Sequence, residues 1–141
     1  MPSIKQNTDG SLGIQGSQLD DGGFLTASFV YDSNLDGKVF FVAPRPYHVK
    51  AIYLRPTVAG VDAGTVSVTV KKAANAGTMD SLATALHTST LNLKGTINTN
   101  QAATLATGST AQIAAGSAIG LDLTGTPTSA AGVVTVLLAP R

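Results

Sequence analysis

Thr65-Val66-Ser67-Val68-Thr69-Val70-Lys71 is the stretch whose reading decides the fold. Val66, Val68 and Val70 alternate strictly with polar neighbours. In an extended chain successive side chains point to opposite sides, so the three valines share one face while Thr65, Ser67, Thr69 and Lys71 share the other. Such a strand has a dry side and a wet side, and its β-branched residues suit extended backbone.

The same rhythm recurs on both sides of this stretch. Upstream, Leu25, Ala27, Phe29 and Tyr31 alternate with Thr26, Ser28, Val30 and Asp32. Asn34-Leu35-Asp36-Gly37 reads as a turn, with Gly37 free to take a left-handed backbone, and residues 38–43 (KVFFVA) as the returning strand of a hairpin. Pro44 and Pro46 interrupt the ladder because they lack the amide proton it needs, and a strand resumes over 49–54 before Pro56. Downstream, Ile119, Leu121 and Leu123 alternate with Gly120, Asp122 and Thr124, and residues 133–139 (VVTVLLA) form a closing strand that is apolar on both faces. Leu91, Leu93, Leu105 and Ile113 mark weaker strands. Met79, Leu82, Ala83 and Leu86 follow i, i+3, i+4, i+7, which suits a short helix with Thr78 as its N-cap, an irregular loop being the alternative.

About eight short strands separated by turn signals predict an all-β chain, an antiparallel β-sandwich of the jelly-roll kind, over residues 23–141. Residues 1–22 read differently. Asp9-Gly10, Gly13, Gly16 and Asp20-Asp21-Gly22 separate isolated Ile4, Leu12, Ile14 and Leu19, which predicts an extended arm ordered only where something ties it down. Composition agrees with strands and turns: all eight acids are Asp with no Glu, against 18 Thr and 15 Gly. At 141 residues the chain has the length of one domain, and no 20- to 50-residue repeat suggests a solenoid or propeller.

Several function classes lose ground on composition. A formal net charge of +1 gives no field to gather nucleic acid or anionic lipid. The absence of Cys removes disulfides, thiolate chemistry and Cys-based zinc sites. There is no apolar run of signal-peptide or membrane-span length, so we expect a protein made and kept soluble.

Specific chemistry finds little purchase. Asp32-Ser33-Asn34-Leu35-Asp36-Gly37 reproduces the first half of an EF-hand loop, but the twelfth position is Ala43 where a bidentate Glu belongs, so a hairpin turn held by local Asx hydrogen bonds is expected in place of a calcium site. His48 and His87 lie 39 positions apart, without the spacing of a metal pair, and are expected as an edge or interface residue and a loop residue. There is no nucleophile elbow, no P-loop, and no Trp to stack a sugar beside a pair of carboxylates. We therefore expect no catalytic residues, no metal and no cofactor.

Residues 66–140 carry a resemblance. The run TVSVTVKKA, then HTSTLNLKG, then AAGSAIGLDLTGTPTSAAGVVTVLLAPR resembles the small jelly-roll decoration, or cement, proteins on the heads of tailed bacteriophages. The matching features are a Gly-initiated strand of alternating Leu, Asp and Leu (Gly120 to Leu123), a Thr-Gly-Thr loop (Thr124 to Thr126) and a Val-rich last strand (Val133 to Leu138). Ser117 stands where an acid is expected after Ala-Ala-Gly. The resemblance implies a homodimer on the outer capsid surface, made in the bacterial cytoplasm and clamping neighbouring major capsid proteins near two-fold positions.

The residues themselves point to a partner as well. Phe40 and Phe41 are expected on opposite faces of one strand, as are Val133 and Leu137 against Val134, Val136 and Leu138, which offers more apolar surface than one core absorbs. Together with Ile4, Leu12, Ile14 and Leu19 of the arm, Phe40, Phe41, Val133 and Leu137 are the candidate interface residues. A carbohydrate- or receptor-binding module of a phage fibre or tail is the alternative, because jelly rolls also serve as lectins.

Overall fold

The computed structural model describes the backbone of residues 4–6 and 12–14, and the chain over 23–80 and 83–141. Twelve strands are described: β1 (Ile4–Gln6), β2 (Leu12–Ile14), β3 (Leu25–Tyr31), β4 (Val39–Val42), β5 (Tyr47–Val58), β6 (Ser67–Ala73), β7 (Thr84–Ala85), β8 (Leu91–Asn92), β9 (Gln101–Ala102), β10 (Gln112–Ile113), β11 (Ala118–Thr124) and β12 (Ala131–Pro140). A 3-10 turn, Gly108–Ala111, precedes β10. The expected antiparallel β-sandwich is what forms. One sheet has the order β10-β5-β12-β3, with β9 also on β5; the other has the order β4-β11-β6-β7, with β8 also on β6.

The valines of the deciding stretch lie in the core as their spacing requires. Val66, Val68 and Val70 are buried and meet Ile52, Leu54, Val134, Val136 and Leu138 of the facing sheet within one cluster. Each such side chain removed from water contributes about 1.5–3 kcal/mol, which makes these alternating rows the main support of the fold.

The expected hairpin at 24–43 does not form. β3 pairs with β12 in one sheet and β4 pairs with β11 in the other, so residues 32–38 cross the edge of the sandwich between layers. Leu35 explains why. Its side chain is fully buried in the core cluster, which a tight two-strand turn would leave in water. The crossing is fixed by Gly37 N–H donating to Leu121 O at 2.9 Å and Leu121 N–H donating to Lys38 O at 2.9 Å, with Gly37 at φ +69° as its sequence context predicts.

Phe40 and Phe41 also depart from simple alternation. In the β4–β11 ladder Ile119 faces Phe41 and Gly120 faces Val39, so a β-bulge leaves Phe40 without an opposite residue. Both rings consequently pack against the core and are half-buried, Phe40 stacking on Phe29 and Phe41 meeting Tyr47 edge-on. β5 runs on through Pro56 to Val58, beyond the expected end at Leu54. A register shift between Ala131 and Gly132 sits opposite this stretch, and a bulge is a place where a sheet accepts proline.

The helix expected over 78–86 is replaced by bends followed by strand β7, with residues 81 and 82, and so the expected Leu82, outside the described ones. Thr84 and Ala85 pair with Lys72 and Lys71. Met79 and Leu86 are buried, as the spacing demands, but through an irregular wrap over the sheet. Met79 lies close against Gly120 of β11, where an added Cβ would come within 2.6 Å of Met79 Cγ. Within residues 1–22, expected as an extended arm, Ile4 to Gln6 pair antiparallel with Ile14 to Leu12. Among the described residues no helix is long and apolar enough to cross a membrane.

Candidate interaction surface

The two flanks of the sandwich are built differently. On one, the edges of β5 and β6 are covered by the two-residue strands β7, β8, β9 and β10 and by loops that bond to one another across the layers. Thr88 N–H donates to Thr104 O, and Ala106 N–H to Leu86 O. Gln101 of β9 reaches Asn92 of β8 twice, accepting from its N–H at 2.8 Å and donating Nε2–H to its carbonyl at 2.7 Å. This amide ties one sheet to the other. Nothing in a polar Asn-Thr-Asn-Gln run marks Gln101 for that part.

His87 belongs to the same closed flank; it lies in the connection between β7 and β8, the loop position expected of it, but is buried there and bridges to Leu105. Its Nε2 accepts the Val70 N–H at 2.9 Å and its Nδ1–H donates to Ser89 O at 2.8 Å, which fixes a neutral ring. Desolvation lowers its pKa, with the Ser89 carbonyl opposing. His48 lies in the other sheet, half-buried on β5 beside Gln112 and Ala139. The two imidazoles are therefore not brought together, and both ring nitrogens of His87 are spent on main chain.

Four aspartates are similarly engaged. Asp32 accepts from Asn34 N–H at 2.8 Å, making the Asx turn expected of the EF-hand-like run, while Asp36 accepts from Leu123 N–H at 3.0 Å. Asp122 pairs with Lys71 at 2.6 Å. Asp62 accepts from the backbone and hydroxyl of Thr128, clamping two loops together; that hydroxyl bond, foremost, holds its carboxyl below the usual range. Among the described residues no three His or Asp side chains gather as a metal site.

Among the described residues, no strand or loop closes the other flank in this way. β3 and β4 are the outer strands of their sheets there, joined across the layers by the Phe29–Phe40 stack with ring centroids 5.8 Å apart. Among the described residues no strand pairs with the outer edge of either. β3 reads LTASFVY, seven residues without a single Lys, Asp, Arg or Pro, although exposed edges are ordinarily guarded by charge, proline or shortness. Val30 is 77% exposed, Val42 is 61% exposed, and Leu25 and Val39 are also open to solvent.

Of the candidate interface residues, Phe40 and Phe41 lie on this flank, partly used by the core. Val133 and Leu137 lie on the outer face of the β12 sheet and are half-buried between neighbours, Val133 between Val30 and Arg55, Leu137 between Thr26 and Ala51. β12 is an interior strand of its sheet, which accounts for part of its two-sided apolar character. Ile4 pairs with Ile14 and Gln6 with Leu12 in the short β1–β2 ladder; Leu19 falls outside the described residues. Sequence reasoning missed Val30, Val39 and Val42, because period-two alternation gives a face and never says which strands end a sheet. Comparisons with protein-family models, curated proteins and solved structures found no match.

Proposed function

We propose that the chain is a structural protein of a virion, a cement or decoration protein that binds the outer surface of a phage head as a homodimer and clamps neighbouring major capsid proteins. The observation that carries this reading is the open flank. A long, uncharged, unguarded strand edge attracts another strand, and a protein whose edge must stay unpaired is normally selected to block it. Covering the edge by a second copy gives an isologous pair with two identical capsid-facing patches. Two weak contacts formed together then raise avidity by about 10²- to 10⁴-fold.

The strand order supports the jelly-roll part of the reading. Leaving aside the separate β1–β2 ladder and the two-residue strands β8 and β9, eight strands run β3, β4, β5, β6, β7, β10, β11 and β12, with the first beside the last and the second beside the seventh. Two interlocked Greek keys have that wrapping. The reading assigns no catalytic residue, cofactor, nucleic acid or membrane to the chain, and rests for its capsid setting on the resemblance of residues 66–140.

A carbohydrate- or receptor-binding module is the second reading, with Tyr53, 44% exposed on the outer face of β5, as the ring a sugar would stack on. Cosedimentation with assembled phage heads, run beside a glycan array, separates the two. Head binding without glycan binding is expected; glycan binding without head binding reverses the order.

A further inference from the structure

Where β6, β10 and the end of β12 converge, Lys72, Thr84, Ser109, Gln112, Ser117 and Arg141 line a recess of about 330 Å³. Lys72 Nζ is anchored there by two main-chain carbonyls, donating to Ser109 O at 3.0 Å and to Gln112 O at 2.5 Å. An ammonium carries three protons, so one remains to be given. Arg141 brings a second cation, near enough that its charge adds to desolvation in lowering the Lys72 pKa.

No Asp side chain lines the recess, and neither the Lys72 nor the Arg141 side chain has an acidic partner among the described residues. The contrast with the preceding residue is direct, since Lys71 is matched by Asp122. Two like charges held side by side cost the fold energy that an incoming anion would return, and hydrogen bonds from ammonium and guanidinium to a carboxylate are among the stronger ones proteins make. Thr84, Ser109, Gln112 and Ser117 make the rest of the lining largely polar. A net charge of +1 leaves this as a local attraction, able to fix register once surfaces meet, and not a long-range one.

Resting on the reading of the chain as a protein that docks on a protein shell, we propose that this recess receives an acidic side chain, Asp or Glu, from the partner surface. The volume accommodates a carboxylate with its methylene stem, and the anchored ammonium presents its free proton without having to be ordered first.

The test has two arms. In the first, the isotopically labelled chain is titrated with acetate, with phosphate in parallel, at constant ionic strength, and the amides of Thr84, Gln112 and Ser117 are followed by NMR. Saturable shifts with acetate are expected there, weakened about fivefold in Arg141→Gln, whose exposed side chain can be changed without touching the core. Lys72→Gln serves as the second variant, its fold checked by circular dichroism because two carbonyls lose their donor. Shifts with phosphate alone, or scattered shifts that Arg141→Gln leaves unchanged, overturn the proposal. In the second arm, wild type and Arg141→Gln are cosedimented with phage heads lacking their decoration protein. Equal occupancy overturns the recess and leaves the shell reading standing, whereas wild type that fails to bind while acetate still saturates the recess overturns the shell reading.

Discussion

His87 Nε2 accepts the amide proton of Val70 at 2.9 Å, while Val70 O accepts from Leu86 N–H at 2.9 Å, so a side chain and a main-chain amide together complete the edge of β6 where a full strand is missing. Protonation would put a second donor against the Val70 amide. The folded-state pKa lies below the ordinary His value, so the stability this ring contributes is present above about pH 6.5 and is lost as pH falls from there through the folded-state value. Thermal melts across pH 5 to 8 should show a decline on the acid side that His87→Leu flattens. That variant leaves a buried amide unpaired and should cost about 1–3 kcal/mol, with His87→Gln, which keeps an acceptor, costing less.

Leu35 sits in a seven-residue crossing yet is 0% exposed, and its removal should behave as a core lesion. Leu35→Ala should lower unfolding free energy by about 2–5 kcal/mol in a urea titration. A loss under 1 kcal/mol would mean that the crossing is not anchored by this side chain.

That crossing also shows what the sequence could and could not convey. Alternation at 25–31 and 66–70 reports which side chains are dry, and Tyr31, Ala27 and the three valines are buried accordingly. It does not report which strand a neighbour joins. Asn34 to Gly37 has the residues of a hairpin turn, and only the burial of Leu35, a tertiary effect, sends β4 to the other sheet. The same limit applies to the surface. Val30, Val39 and Val42 matter because their strands end two sheets, and Lys72 and Arg141 because residues 69 apart in sequence converge on one recess. Met79 and Leu86 keep their burial without the helix, since a wrapped chain and a helix can bury the same spacing.

Tyr31 is 1% exposed with a hydroxyl that has no hydrogen-bond partner, and burial pushes its pKa up to about 12. Tyr31→Phe should therefore be neutral or stabilising by about 1 kcal/mol, because it removes an unpaired polar atom and keeps the ring. Gly132→Ala, whose new Cβ would lie 2.6 Å from that hydroxyl and press on the Arg55 carbonyl, should destabilise by about 1–3 kcal/mol. Calorimetry on both variants checks the pair.

Residues 1–22 are proposed to add contacts on the shell. Deleting residues 2–20 should lower head occupancy across a dilution series and reduce the thermal resistance of the particles, while the melting temperature of the isolated chain stays close to wild type. Unchanged occupancy would remove this segment from the interface.

The pairing edge is tested most directly by sedimentation equilibrium of the intact chain at micromolar concentration, beside a Ser28→Lys, Val30→Lys double variant that places two charges on β3. Wild type should sediment at twice 14.2 kDa and the double variant, with an unchanged circular dichroism spectrum, at 14.2 kDa. Wild type at 14.2 kDa, or a charged variant that still pairs, would contradict the assignment of the open flank as the dimer contact.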